Sequence, residues 1–266
     1  MDMSSRSTTA AIVVALMLLA ALAGCGDGSE GRAAAARARE WAAMQRDKRE
    51  LDVQRAELAR LRGHLASVPV AADGTPAIPG DAAIGREVAT RQQRIAARSS
   101  SLGERLVRHL AGLRRGAAGE GPEWQQAVRL KSDEDIAVAQ EWIDRGGDYR
   151  RAIEILETQR QLDPAYARLE QALARARDMR FVTAQRFARV LEGMTPIDVR
   201  AALGPVNLRQ VLRRPAERLE AWYYPKRSGG RAAIYFRYDS ERRGYVVYRT
   251  ELAAGARPSA SSAIVG

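Results

Sequence analysis

The chain has 266 residues, a formal net charge of +11 and a single cysteine. One cysteine excludes an internal disulfide and a cysteine-based metal site, and the basic excess directs any binding toward anionic surfaces or acidic partners. Arginine supplies 40 of the 43 basic residues, a bias that reads as genome composition more than as function.

Ala10 to Ala23 is almost wholly apolar, with Arg6 as the only basic residue ahead of it and Asp2 offsetting that charge. The run has the length of a signal-peptide h-region and is too short for a comfortable membrane span. It ends in Leu22-Ala23-Gly24-Cys25, which resembles the lipobox of bacterial lipoproteins. The resemblance implies a lipoprotein signal peptide over 1–24, cleavage before Cys25, and covalent lipid on that thiol. Two or three acyl chains, at roughly 0.8 kcal/mol per buried methylene, anchor a protein durably. The alternative is an ordinary signal peptide with a chance cysteine. Gly26 follows the cysteine; in the lipoprotein pattern Asp at that position retains a protein in the inner membrane, so Gly favours the outer one. The expected location is therefore the cell envelope, lipid-anchored and facing the periplasm, where nucleic acid is not an expected partner.

Residues 25–32 read as a flexible tether. From Ala33 the chain is rich in Ala, Arg, Glu and Leu, a strong helix signal. Met44, Leu51, Leu58 and Leu65 recur every seven residues, one row of an a/d-type seam. Leu61 and Val68 extend a second row, but Asp47 and Gln54 hold its earlier positions, so the seam is expected to be stronger toward the C-terminal end. A Pro- and Gly-rich loop over 69–81 leads to a second helix over 82–114, with Ile84, Val88, Ile95, Leu102, Leu106, Leu110 and Leu113 favouring one face. Residues 33–114 thus form either an antiparallel helical hairpin or a coiled coil between chains.

The segment 122–191 is also helical. Ser132 with Asp135 suggests a capping box, and Gly146-Gly147 a helix end. Gly147, Tyr149, Ala152, Leu156 and Pro164 stand at the spacing of the second half of a tetratricopeptide repeat, which this stretch resembles. One repeat cannot bury its own face, so an isolated helix pair packed on its neighbours is expected. Asp163 would cap a further helix, with Pro164 at its first position, running to about Leu191.

From Val190 the pattern changes. Thr195, Pro196 and Asp198 have the spacing of a helix start; that short helix is expected to bury Ile197, Val199, Ala202 and Leu203. Strand-like runs follow at 207–213, 219–225, 231–238 and 244–250, with Ser228-Gly229-Gly230 and Arg243-Gly244 as turns. This is a small α+β module with an antiparallel meander, so the fold class of the whole chain is α+β. Gly193-Met194-Thr195, Val199, Leu203-Gly204-Pro205 and Trp222-Tyr223-Tyr224 resemble the SmpA/OmlA family, the BamE-like modules of the β-barrel assembly machinery, over roughly 187–253. Modules of β-lactamase-inhibitor type begin in a similar way. Residues 254–266 read as a disordered tail.

No GxSxG, HExxH or glycine-rich phosphate loop is present, and His64 and His109 lie far apart on separate predicted helices. The sequence therefore points away from an enzyme, a metal site or a cofactor other than the lipid on Cys25. Residues 182–250 carry 14 Lys+Arg against 6 Asp+Glu. Arg213, Arg214, Lys226, Arg227 and Arg231 are candidate binding residues, with 226, 227 and 231 brought into one patch by a short turn. Trp222 and Tyr224, sharing one strand face, are candidates to add apolar contact. The same arginines also suit a solvated surface. The expected function is a membrane-tethered scaffold or assembly factor, in outer-membrane protein assembly or envelope integrity. Its expected partner is an envelope protein, with anionic lipid as a second candidate. The alternative is a β-lactamase-inhibitor-like or ligand-binding module on a helical stalk.

Overall fold

The computed structural model describes residues 28–67, 79–115 and 121–254. The expected signal peptide, Cys25, and residues 255–266 of the expected tail lie outside the described residues. The chain falls into two units, Met1–Ala43 and Met44–Gly266. The fold is α+β: among the described residues, seven helices are followed by a four-stranded antiparallel sheet. No helix among the described residues is long and apolar enough to cross a membrane.

Helix α1 spans Gly28–Ser67, so helix already occupies part of the stretch expected as a tether. In the first unit its residues 31–40 are exposed. In the second unit α1 meets α2, Pro79–Arg115. Arg105 Nη1 donates to Asp47 (2.5 Å), Arg98 binds both oxygens of Glu50 (2.7 and 2.8 Å), and Arg91 meets Glu57 (2.5 Å). Rising numbers on α1 meet falling numbers on α2, so these stretches run antiparallel within one chain. Asp47, the apparent gap in the seam, is one of these flanking ion-pair positions. Met44, Leu51 and Leu58 are buried, as are Ile95, Leu102 and Leu106, whereas Leu65 is only half-buried. The seam is therefore strongest toward Met44, the reverse of the expectation. The reason is α3, Pro122–Gly146, which covers that level: its Glu134 is bound by Arg55 of α1 and Ser99 of α2.

Ser132 does not cap a helix. Gly121 and Pro122 start α3 instead, leaving Ser132 mid-helix and fully buried. Its hydroxyl lies 2.8 Å from Asp163 Oδ2 and accepts from Gln159 Nε2 at 2.9 Å. It thereby ties α3 to α4, Tyr149–Leu162. Gly147 ends α3 in the left-handed region, φ 59°, as the sequence indicated. Pro164 does not open α5; it sits in a turn after Asp163, and α5 spans Ala167–Met179 behind Tyr166. Nor does α5 continue to Leu191. Arg186 binds the carbonyl oxygens of Asp178 (2.8 Å) and Phe181 (2.5 Å), and Val182 N–H turns away to the Pro225 carbonyl (2.9 Å). A single turn, α6, follows at Ala184–Phe187. Helices α3 to α5 share one core around Ala152, Leu156, Leu169 and Leu173.

Helix α7, Pro196–Leu203, carries the expected cap: Thr195 N–H donates to Asp198 Oδ2 (2.8 Å) and Asp198 N–H to Thr195 Oγ1 (3.3 Å). Ile197, expected inside, is 43% exposed, because α7 turns Val199 and Leu203 to the sheet. The first expected strand is shorter than predicted. Leu208–Gln210 is a 3-10 turn and β1 covers only Val211–Arg214. Strands β2 (Leu219–Pro225), β3 (Arg231–Asp239) and β4 (Gly244–Ala254) complete a sheet ordered β1-β2-β3-β4.

Candidate functional site

Alternation along the strands gives the sheet two unlike faces. One packs Trp222, Tyr224, Ile234 and Phe236 against Val182, Phe187, Val199 and Leu203. The Trp222 and Phe236 ring centroids are 4.7 Å apart, and Tyr224 Oη donates to the Gly204 carbonyl at 3.1 Å. Burial pushes the Tyr224 hydroxyl far above its ordinary pKa. Trp222 and Tyr224 are thus core residues, and neither offers an exposed contact. They lie on the face that needs covering, and α7 with the 182–190 segment covers it.

The opposite face carries Leu212, Ala221, Tyr223, Tyr235 and Tyr248. A half-open cavity of about 160 Å³ lies among them. Three arginines stand over three rings: Arg231 5.5 Å from the Tyr223 centroid, Arg249 5.4 Å from Tyr235, and Arg237 5.7 Å from Tyr248. Arg237 and Arg249 are exposed and both Tyr235 and Tyr248 are half-buried. Tyr235 Oη donates to Glu251 Oε2 at 3.1 Å; burial, then the Glu251 charge, raises its pKa to about 12. Tyr235 is therefore a neutral donor at any physiological pH.

The structure scatters the charged candidates. Arg213 pairs with Glu220 (3.1 Å) and Arg214 with Glu217 (3.2 Å), so both are compensated locally. Lys226 and Arg227 border a cavity of about 600 Å³ beside Phe181, Val182 and Leu252. Arg231 borders a different cavity, of about 340 Å³. The expected single patch of 226, 227 and 231 is thus divided. Arg231 sits opposite Pro225 and on the Tyr223 face, while Lys226, one residue on, is bridged to Val182 on the helix side. Beside Arg231 the fold brings Arg150, Arg180 and Arg209. Sequence reasoning missed these three, since they come from α4, the end of α5 and the 3-10 turn, and no local pattern joins them.

No protein-family model, curated protein or solved structure matches the chain.

Proposed function

We propose that this chain is a lipid-anchored envelope lipoprotein acting as a scaffold or assembly factor, with outer-membrane protein assembly or envelope integrity as its setting. In this reading lipid on Cys25 holds the chain on the outer membrane, residues 33–114 form a spacing arm, and the BamE-like module presents a face to an acidic envelope protein. The observation that carries it is the arginine-capped row of Tyr223, Tyr235 and Tyr248. Tyrosine and arginine are the residues that protein interfaces concentrate at their energetic centres, and Arg231 and Arg237, beside an Arg249 that already pairs with Glu251, supply positive charge that steers acidic partners.

The test is capture from envelope extracts with tagged, lipidated chain, beside a Tyr235→Ser/Tyr248→Ser variant and a Cys25→Ser variant. Barrel-assembly subunits are expected with the parent and lost with the tyrosine variant. Cys25→Ser is expected to leave the membrane fraction or accumulate uncleaved. A partner set indifferent to the tyrosine substitutions sinks the face, and unchanged acyl labelling of Cys25→Ser sinks the anchor. Capture of one soluble hydrolase instead favours the inhibitor-like module on a stalk, a reading for which the cavity of about 160 Å³ beside Tyr235 speaks.

A further inference from the structure

Four arginines from distant parts of the chain, Arg150, Arg180, Arg209 and Arg231, line one cavity of about 340 Å³. That volume is in the range of small-molecule sites. The single carboxylate of its lining, Asp148, is occupied as the cap of α4, accepting from the Arg151 N–H at 3.0 Å. Arg150 shares its charge with Glu154 at 3.0 Å. No carboxylate among the described residues lies within ion-pair distance of Arg180 or Arg231. Each instead stands over a ring, 5.0 Å from Phe181 and 5.5 Å from Tyr223. A guanidinium held against an aromatic face keeps its charge and its planar fork of donors.

The cavity floor is also fixed in place. Gly147 lies against Val206 and Asn207, and Asn207 Nδ2 donates to the Gly147 carbonyl at 3.4 Å. The turn that leads into α4 and the segment that leads into the 3-10 turn of Arg209 are therefore packed on one another, while the Val182 N–H, donating to the Pro225 carbonyl at 2.9 Å, ties the chain beside Arg180 to the end of β2. Converging arginine forks match phosphate oxygens two at a time.

We propose that this cavity binds a phosphate monoester, the dianion held by Arg180, Arg209 and Arg231, with the Gln210 amide toward a hydroxylated body. The monoester is either soluble or the exposed group of a lipid. The inference goes beyond the scaffold reading: Arg231 is shared with the Tyr223 end of that face, but Arg180, Arg209 and Gln210 lie outside it, and the variants that test it leave Tyr223, Tyr235 and Tyr248 in place.

The experiment titrates the full lipidated chain in nanodiscs with glucose 6-phosphate, glucose and inorganic phosphate by calorimetry. It also measures retention on vesicles of phosphatidic acid in phosphatidylcholine. Saturable binding of glucose 6-phosphate without binding of glucose is expected, weakening as salt rises. Arg180→Gln/Arg209→Gln is expected to weaken it at least about tenfold, a loss of about 1.4 kcal/mol, and Arg180→Lys less. Arg94→Gln/Arg108→Gln, at exposed positions of α2, is expected to leave it unchanged. Circular dichroism melts establish that each variant is folded. Competition of glucose 6-phosphate against phosphatidic-acid vesicles identifies a lipid source; binding of the soluble ester alone identifies a soluble one. Equal binding by the folded Arg180→Gln/Arg209→Gln variant, equal binding of glucose, or no binding of either monoester source overturns the proposal.

Discussion

Gly147 and Val206 touch backbone to backbone: a methyl group on Gly147 would overlap the Val206 carbonyl and come within 2.6 Å of Asn207 N. The contact joins the turn between α3 and α4 to the segment that leads from α7 into the sheet. Gly147 also has φ 59°, where an L side chain is strained. Two separate costs thus meet at one residue. Gly147→Ala is expected to lose about 2–4 kcal/mol from left-handed strain plus overpacking, or roughly 5–15 °C in melting temperature for a chain of this size. Gly147→Asn separates the two costs, since Asn tolerates the left-handed region. It should recover only the strain part of the loss and still melt well below the parent, because the clash at Cβ remains. A melt near the parent for Gly147→Asn would show that the close approach is not needed.

Gly204 closes the same joint from the other side. Its φ of 84° and ψ of 171° belong to glycine alone, and a Cβ there would overlap Tyr149 Oη and approach Met179 Cε at 2.9 Å. Gly204→Ala is expected to melt well below the parent. Adding Tyr149→Phe removes the overlapping oxygen, so the double variant should recover part of the loss, while the backbone strain persists. No recovery at all in thermal denaturation would place the whole cost in the backbone.

The elements that the sequence displayed were those fixed by neighbours along the chain. Thr195, Pro196 and Asp198 specify a helix start within four residues, and the structure has that cap. The aromatic runs at 219–225 and 231–238 are strands because alternation and β-propensity agree there. What the sequence hid was set by distant partners. Ser132 has the local look of a cap, yet Gln159 and Asp163 hold it inside α3. Alternation alone puts Trp222 and Tyr224 on one face, but which face α7 covers depends on packing across the module. Arg150, Arg180 and Arg209 are brought to Arg231 by contacts between distant segments, the Gly147 joint and the Val182–Pro225 bond among them, so no spacing in the sequence foretells that cavity.

The seam between α1 and α2 makes an ordered set of expectations. Leu51 is fully buried and Leu65 only half-buried. Leu51→Ala should therefore cost about 2–5 kcal/mol, by lost transfer energy and the cavity left behind, and Leu65→Ala clearly less. Chemical denaturation of both variants checks the order. A larger loss for Leu65→Ala would mean that the seam is buried by something other than α3.

The last expectation concerns Glu134, 1% exposed and gripped from two helices. Arg55 Nη1 and Nη2 donate to its two oxygens at 2.9 and 2.7 Å, while Arg55 Nε reaches Glu141 at 2.6 Å. Lys48 Nζ stands 3.6 Å away. Burial by itself raises the Glu134 pKa, but Arg55, Ser99 and Lys48 together outweigh it and hold the carboxyl below its usual range. Since the folded pKa is below the unfolded one, about 4.3, this group stabilises the fold above that pH and loses its contribution as pH falls. Arg55→Met removes the main counter-charge and leaves a buried carboxylate, at a cost of about 3–5 kcal/mol near neutrality. The sign of the linkage then reverses. With burial dominant, the folded pKa rises above the unfolded one, Glu134 is held protonated more readily, and its contribution is lost as pH rises. The destabilisation by Arg55→Met should therefore shrink as pH is lowered from about 8 toward 5. Arg55→Met/Glu134→Gln should recover much of the loss at neutral pH, because the fully buried carboxylate is gone, Lys48 keeps Asp52, and the half-buried Glu141 remains open to water. Melts of parent, single and double variants across that range decide the matter. A cost that stays constant with pH and is not relieved by Glu134→Gln would mean that Arg55 acts through packing of its stem, not through its charge.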